Sequence, residues 1–151
     1  MMKKILAVLA CALLLGSVLC GCGGSANRTY KDGTYTGKSA VYTGDEEGNG
    51  NGNGYGEVTI TVKDNKITAC EFKTYEENGT LKGDDYGKID GEIKNQDYYN
   101  KAQKAIKGSE MYAQSIIGKS KPDEVDSISG ATFSYNQFTD AVLDALDKAA
   151  A

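Results

Sequence analysis

Gly56-Glu57-Val58-Thr59-Ile60-Thr61-Val62-Lys63-Asp64-Asn65-Lys66-Ile67-Thr68-Ala69-Cys70-Glu71-Phe72-Lys73-Thr74 is the stretch on which the fold turns. Val58, Ile60 and Val62 alternate with Thr59 and Thr61, the period-two pattern of a half-buried strand. Lys63-Asp64-Asn65-Lys66 interrupts the pattern with turn-forming residues, and Ile67 to Thr74 resumes extended character. Residues 56–74 therefore read as a β-hairpin with one face on a core. Cys70, in the second strand, is expected to be a small buried apolar residue rather than a reactive thiol.

Upstream, Asp32-Gly33 is a turn signal, and Thr34 to Thr43 reads as a first strand rich in Thr, Tyr and Val. Gly44 to Gly54 is a Gly-Asn tract with little apolar surface to bury, expected as a mobile hairpin loop. It lacks the Lys-Ser/Thr ending of a phosphate-binding P-loop and no helix follows it.

Downstream, residues 75–95 are polar and Gly-rich, an irregular excursion around Tyr75, Leu81 and Tyr86. Tyr98, Ala102, Ala105, Ile106, Tyr112, Ala113 and Ile116 then recur at helical spacing over 96–117. Gly108 costs about 1 kcal/mol relative to Ala there, so a kink or break is expected. In a last helix Phe138, Ala141, Val142, Ala145, Leu146 and Ala149 share one face, and Ser134 with Gln137 forms a capping-box pair that starts it near Tyr135. A small antiparallel sheet packed against helices, an α+β fold, is the expected architecture.

The 151 residues suffice for one modest domain. They include no histidine, which removes Ser-His-Asp and Cys-His nucleophilic sites, imidazole-bearing metal sites and histidine-ligated haem. Chemistry must come from carboxylates, hydroxyls, a thiol or a borrowed cofactor. Charge is also selective: the net −4 is spread without a basic stripe, which excludes nucleic acid as a partner and electrostatic docking on anionic lipid.

Three of the four cysteines, Cys11, Cys20 and Cys22, lie in or just after an apolar run from Ile5 to Leu19 that follows Lys3 and Lys4. At about 15 residues the run is shorter than the ~20 of a spanning helix and reads as a secretory signal. Its end, Leu19-Cys20-Gly21-Cys22, resembles the bacterial lipobox with Cys22 as the lipidated residue, although Cys20 stands where Ser, Thr or Ala is commoner. The expected organisation is a signal peptide over 1–21, a flexible tether over 22–31 and one domain over 32–151. Removing residues 1–21 takes away two lysines and no acid, moving the net charge to −6. Lipid anchoring on the extracytoplasmic face of a bacterial cell membrane is the expected location.

Just before the last helix stands Asp126-Ser127-Ile128-Ser129-Gly130-Ala131-Thr132-Phe133-Ser134. Gly130 is free to take unusual backbone angles, and the small neighbours leave hydroxyls open to close approach. Thr132 lies near a helix start, where free N–H groups and the helix dipole favour a phosphate. A serine-rich turn that merely caps the helix fits the same residues.

This stretch resembles, at every defined position, the flavinylation motif Asp-x-x-Ser/Thr-Gly-Ala-Thr-x-Ser/Thr of the FMN-binding domain family. Asp32-Gly33-Thr34-Tyr35-Thr36-Gly37 is similar to that family's opening Asp-Gly-x-Tyr-x-Gly. Gly56 to Val62 with Asn65-Lys66-Ile67 is similar to its hairpin, with Asn65 replacing the usual turn glycine, a mild change because Asn tolerates the left-handed conformation. The likeness runs over 32–148.

The resemblance implies that Thr132 receives FMN through a phosphoester, placed by a flavin transferase that uses FAD and Mg²⁺. It implies that Ser129, Gly130 and Ala131 line the approach and lie beside the FMN phosphate, while Asp126 and Ser134 shape the loop and its cap. Tyr86, Tyr112 and Tyr135 are candidates to stack on the isoalloxazine ring, or are simply packing residues. The family includes flavin subunits of membrane oxidoreductases and extracellular flavin-bearing lipoproteins. The implied function is electron transfer, from a membrane dehydrogenase or quinol donor to another flavoprotein, an extracellular reductase or a soluble acceptor. With no second domain to hold a substrate, an electron carrier is expected rather than an enzyme. The alternatives are a ligand-binding lipoprotein of the same fold without covalent flavin, and a small flavin reductase-type enzyme.

Overall fold

The computed structural model describes residues 28–43 and 53–151. The signal peptide, Cys22, and the Gly-Asn tract up to residue 52 lie outside the described residues. The hairpin forms as expected: β2 (Tyr55–Lys63) and β3 (Lys66–Tyr75) pair antiparallel, and β1 (Gly33–Lys38) joins on the other side of β2, giving the order β1-β2-β3. Asp64 and Asn65 both take positive φ, 51° and 60°, the conformation a two-residue hairpin turn demands. A bulge between Thr61 and Val62 shifts the register so that Ile60 opposes Cys70 and Val62 opposes Ile67. Both strands consequently keep their apolar side chains on one face.

That face is covered by two helices, α1 (Gln96–Ser115) and α2 (Thr132–Ala149). α2 lies across β1 and β2, and α1 packs on β3. Gly37 permits the first approach, since a Cβ there would collide with the Ala141 carbonyl of α2. Phe138 and Tyr112 stack with centroids 5.5 Å apart, and Phe72 meets Phe138 edge-on at 5.3 Å. Around them Val58, Ile60, Ile67, Ile116, Val142 and Leu146 are excluded from water.

Several expectations need correction. The first strand ends at Lys38, not Thr43; beyond it Ser39 still bonds Gly56, and Tyr42 bridges Gly54. Gly108 does not break α1, which is continuous because the glycine is used for space: its missing side chain admits Ala131. α2 begins at Thr132, three residues earlier than expected, with Ala131 as N-cap. Ser134 and Gln137 form no capping box: Ser134 is buried and donates to the Ala105 carbonyl at 3.5 Å, while Gln137 donates to the Gly54 carbonyl at 3.1 Å. The end of the tether is docked as well, for Lys31 N–H donates to the Ala149 carbonyl and Ala151 N–H to the Thr29 carbonyl. Arg28 also meets Asp147 of α2, so residues 28–31 lie against the C-terminal end of that helix.

Residues 76–95 contain neither helix nor strand, as expected, only isolated bridges such as Tyr75 to Leu81. Among the described residues no helix is long and apolar enough to cross a membrane.

Candidate functional site

Thr132 is the first helical residue of α2, and no side chain caps that end. The first intrahelical bond into Ala131 comes from Tyr135 N–H at 3.0 Å, so the N–H groups of Thr132, Phe133 and Ser134 precede the helical ladder. Such an end carries partial positive charge and attracts anions. The Thr132 side chain is exposed, as are Ser129, Gly130 and Asp126, whereas Ala131 and Ser134 are buried.

The loop is held from beneath. Tyr112, wholly buried in α1, accepts from Ile128 N–H at 2.7 Å through its hydroxyl and donates to the Ala131 carbonyl at 3.2 Å. Tyr135 donates to the Val125 carbonyl at 2.9 Å. Gly130 turns the chain with φ 82°, one of the unusual backbone angles a glycine is free to take. Tyr112 and Tyr135 are therefore supports of the loop and not ring-stacking residues on a ligand face.

Beside the loop opens a cleft of about 450 Å³, within the usual range for small-molecule sites. Gly130, Ala131, Thr132, Phe133 and Ser134 form one wall, and Tyr98, Lys101, Ala102, Lys104 and Ala105 of α1 form the other. Thr74, Lys82, Tyr86 and Gln137, all less exposed than Thr132, complete the lining. Of the six motif residues singled out from sequence, Gly130, Ala131, Thr132 and Ser134 meet at this cleft; Asp126 and Ser129 do not line it. Of the three tyrosines, only Tyr86 does. Burial, reinforced by Tyr98, pushes the Tyr86 phenol well above its ordinary range, so it presents a neutral ring to the cleft.

Sequence reasoning missed the lysines. Lys104 lies over Gly130, with its Nζ 2.9 Å from where a Cβ on that glycine would stand. This juxtaposition puts an ammonium at the mouth of an uncapped helix end, and Lys101 lines the same wall. The helical spacing of Lys101 and Lys104 was the available signal, hidden because α1's apolar positions dominated its pattern. Among the described residues there is no cluster of His, Cys, Asp and Glu fit to hold a metal.

An exposed hydroxyl, free backbone N–H groups and an ammonium suit a phosphate, while Ala102, Ala105, Ile106, Phe133 and Tyr86 contribute apolar lining to the same cleft. These residues fit FMN, which joins a phosphate to a planar ring. The fold and the cleft define a small flavin-binding domain.

Residues 51–147 match the FMN-binding domain family, and the chain belongs to that family. It is a flavin-binding protein whose cofactor is FMN. Its structure is similar to the crystal structure of the CPE2226 protein from Clostridium perfringens, at 26% identity and TM-score 0.51, over 80% of this chain and 89% of that one. No curated protein matches the chain.

Proposed function

We propose that this chain is a lipid-anchored, extracytoplasmic electron-transfer flavoprotein that carries FMN on Thr132 through a phosphoester. The observation that carries the reading is the position of Thr132: an exposed hydroxyl on the first residue of an uncapped helix, one residue from the buried Ala131 and beside Lys104. In the attachment, Thr132 Oγ1 bonds to the FMN-side phosphorus of FAD, the pyrophosphate P–O bond breaks, AMP leaves, and the hydroxyl proton passes to a base of the transferase or to water. Mg²⁺ on the transferase balances the pyrophosphate charge.

The chain's own residues then orient the product. Backbone N–H groups at the start of α2 and the Lys104 ammonium neutralise the phosphoester, and Gly130 keeps the approach clear. Tyr112 holds the loop at Ile128 and Ala131 so that the attachment point does not wander. Bound FMN supplies the redox chemistry, with the protein providing attachment, orientation and electrostatics. A link at the phosphate leaves the ring accessible to donor and acceptor, and prevents loss outside the cell. The donor is a membrane dehydrogenase or quinol, and the acceptor an extracellular reductase, another flavoprotein or a soluble molecule. Cys22 supplies the anchor.

Co-expression with a flavin transferase followed by intact-mass measurement tests the attachment. The mature chain should gain the mass of FMN less one water, and Thr132→Ala should gain nothing while remaining folded. An unmodified wild-type chain, or flavin retained covalently by Thr132→Ala, overturns it. Palmitate labelling that persists in Cys22→Ala would overturn the anchor.

A further inference from the structure

Lys82 is a buried cation that attachment at Thr132 does not use. It is 8% exposed, and it lines the cleft. Its backbone N–H donates to the Thr74 carbonyl at 2.9 Å, which fixes the residue beside the end of β3. Its ammonium donates to the Asn53 carbonyl and stands 4.8 Å from the centroid of the Tyr86 ring. An ammonium has three donors, and among the described residues one is used, which leaves two for a ligand. Lysine is almost never buried to this degree unless paired, and Lys82 takes part in none of the ion pairs among the described residues.

Position along α2 separates Lys82 from the attachment point. Gln137 lies about 7.5 Å of helix rise beyond Thr132, and its amide reaches the Gly54 carbonyl, adjacent to the Asn53 carbonyl that Lys82 holds. A cofactor tied at Thr132 by its phosphate and extended into the cleft would bring its ring toward Lys82 and Tyr86.

Resting on the FMN reading above, the geometry points to Lys82 as the residue that sets the reduction potential of the flavin, by placing a buried ammonium at the ring end of the cleft. Electrons arriving from the donor make the ring more negative, and a cation in a water-poor site interacts with that charge far more strongly than one in water. Lys82 neither gives nor takes an electron; it stabilises the electron-rich form over the oxidised one and so raises the potential. Burial holds its pKa below the ordinary lysine value, opposed by the charges of Glu76 and Glu77. The phosphate has a separate set of partners at the other end, so Lys82 is assigned to the ring.

The test compares the flavin-loaded wild-type chain with Lys82→Met, Lys82→Gln and Lys82→Arg by spectroelectrochemical titration, after intact mass has established the load. The midpoint potential should move negative in the Met and Gln variants and stay near wild type in the Arg variant. An unchanged potential in a fully loaded Lys82→Met protein overturns the inference, and so does a lower flavin load whose loaded fraction keeps the wild-type potential, which would make Lys82 a phosphate ligand. Should the variants fail to fold, the ¹⁵N-labelled lysine ammonium signals of the wild-type holoprotein decide: a buried signal that shifts on reduction supports the assignment, and one that does not move overturns it. If the wild-type chain takes no covalent flavin, the attachment reading has failed on its own. Lys82 is then tested with noncovalent FMN, whose reduced form should gain affinity over the oxidised form in wild type relative to Lys82→Met; equal ratios overturn the inference.

Discussion

Gly108 of α1 and Ala131 of the motif loop are in such close approach that a Cβ on the glycine would stand 2.5 Å from the Cβ of Ala131. The glycine therefore fixes how near the loop comes to α1, and with it the width of the cleft that both segments line.

Gly108→Ala sets two effects against each other. Alanine would gain about 1 kcal/mol of helix propensity, while overpacking costs about 1–3 kcal/mol. A net loss of about 1 kcal/mol is expected, read as a lower melting temperature, together with slower flavin incorporation. A rise in melting temperature would show that Ala131 gives way freely.

Tyr112→Phe removes one hydroxyl that serves both Ile128 and Ala131. Leaving these groups unpaired should cost about 1–3 kcal/mol. The amide of Ile128 should exchange with solvent faster than in wild type, whereas amides in β2 should respond only to the global loss of stability. Unchanged exchange at Ile128 would remove Tyr112 from its supporting role.

Lys104→Ala tests the phosphate end of the cleft. A charged hydrogen bond is worth about 1.5–3 kcal/mol, so transferase-dependent flavin incorporation should slow by roughly tenfold or more, and Lys104→Arg should recover much of it. Lys104 is exposed, so melting temperature should hardly move. Incorporation at the wild-type rate in Lys104→Ala would count against that contact.

Cys70 offers a pH-dependent readout. Burial, with a smaller contribution from Glu71, pushes its thiol from 9.0 up to about 12. The folded state therefore favours the protonated thiol: this contribution to stability is complete below about pH 9 and is lost as pH rises toward 12. Peptide mapping after iodoacetamide treatment at pH 9 should find Cys70 largely unmodified in folded protein and readily modified in urea. Equal labelling in both would mean that the strand does not shield it.

The sheet was legible because alternation survives in Val58, Ile60 and Val62 however they are packed. The bulge was not, since the additional residue in β3 leaves the pattern on either side intact. Ser134 and Gln137 mimicked a capping box by spacing alone, but tertiary partners, the Ala105 and Gly54 carbonyls, claimed both side chains. Gly108 looked like a helix breaker by propensity, and close packing reversed its meaning. At the cleft, the motif residues could be read because they are contiguous. Lys82 and Lys104 could not, because an irregular segment and α1 bring them to the cleft only through the fold.

The pairing of Tyr30 with Ala150 has a consequence for reach. It ties the incoming chain to the far end of α2, while Thr132 occupies the near end of the same helix. Eighteen residues of helix make a rigid strut of roughly 27 Å between them. Under the proposed anchoring, the chain would enter the domain at one end of this strut and the Thr132 hydroxyl would stand at the other, so the length of α2 would set how far the motif is held from the point of entry.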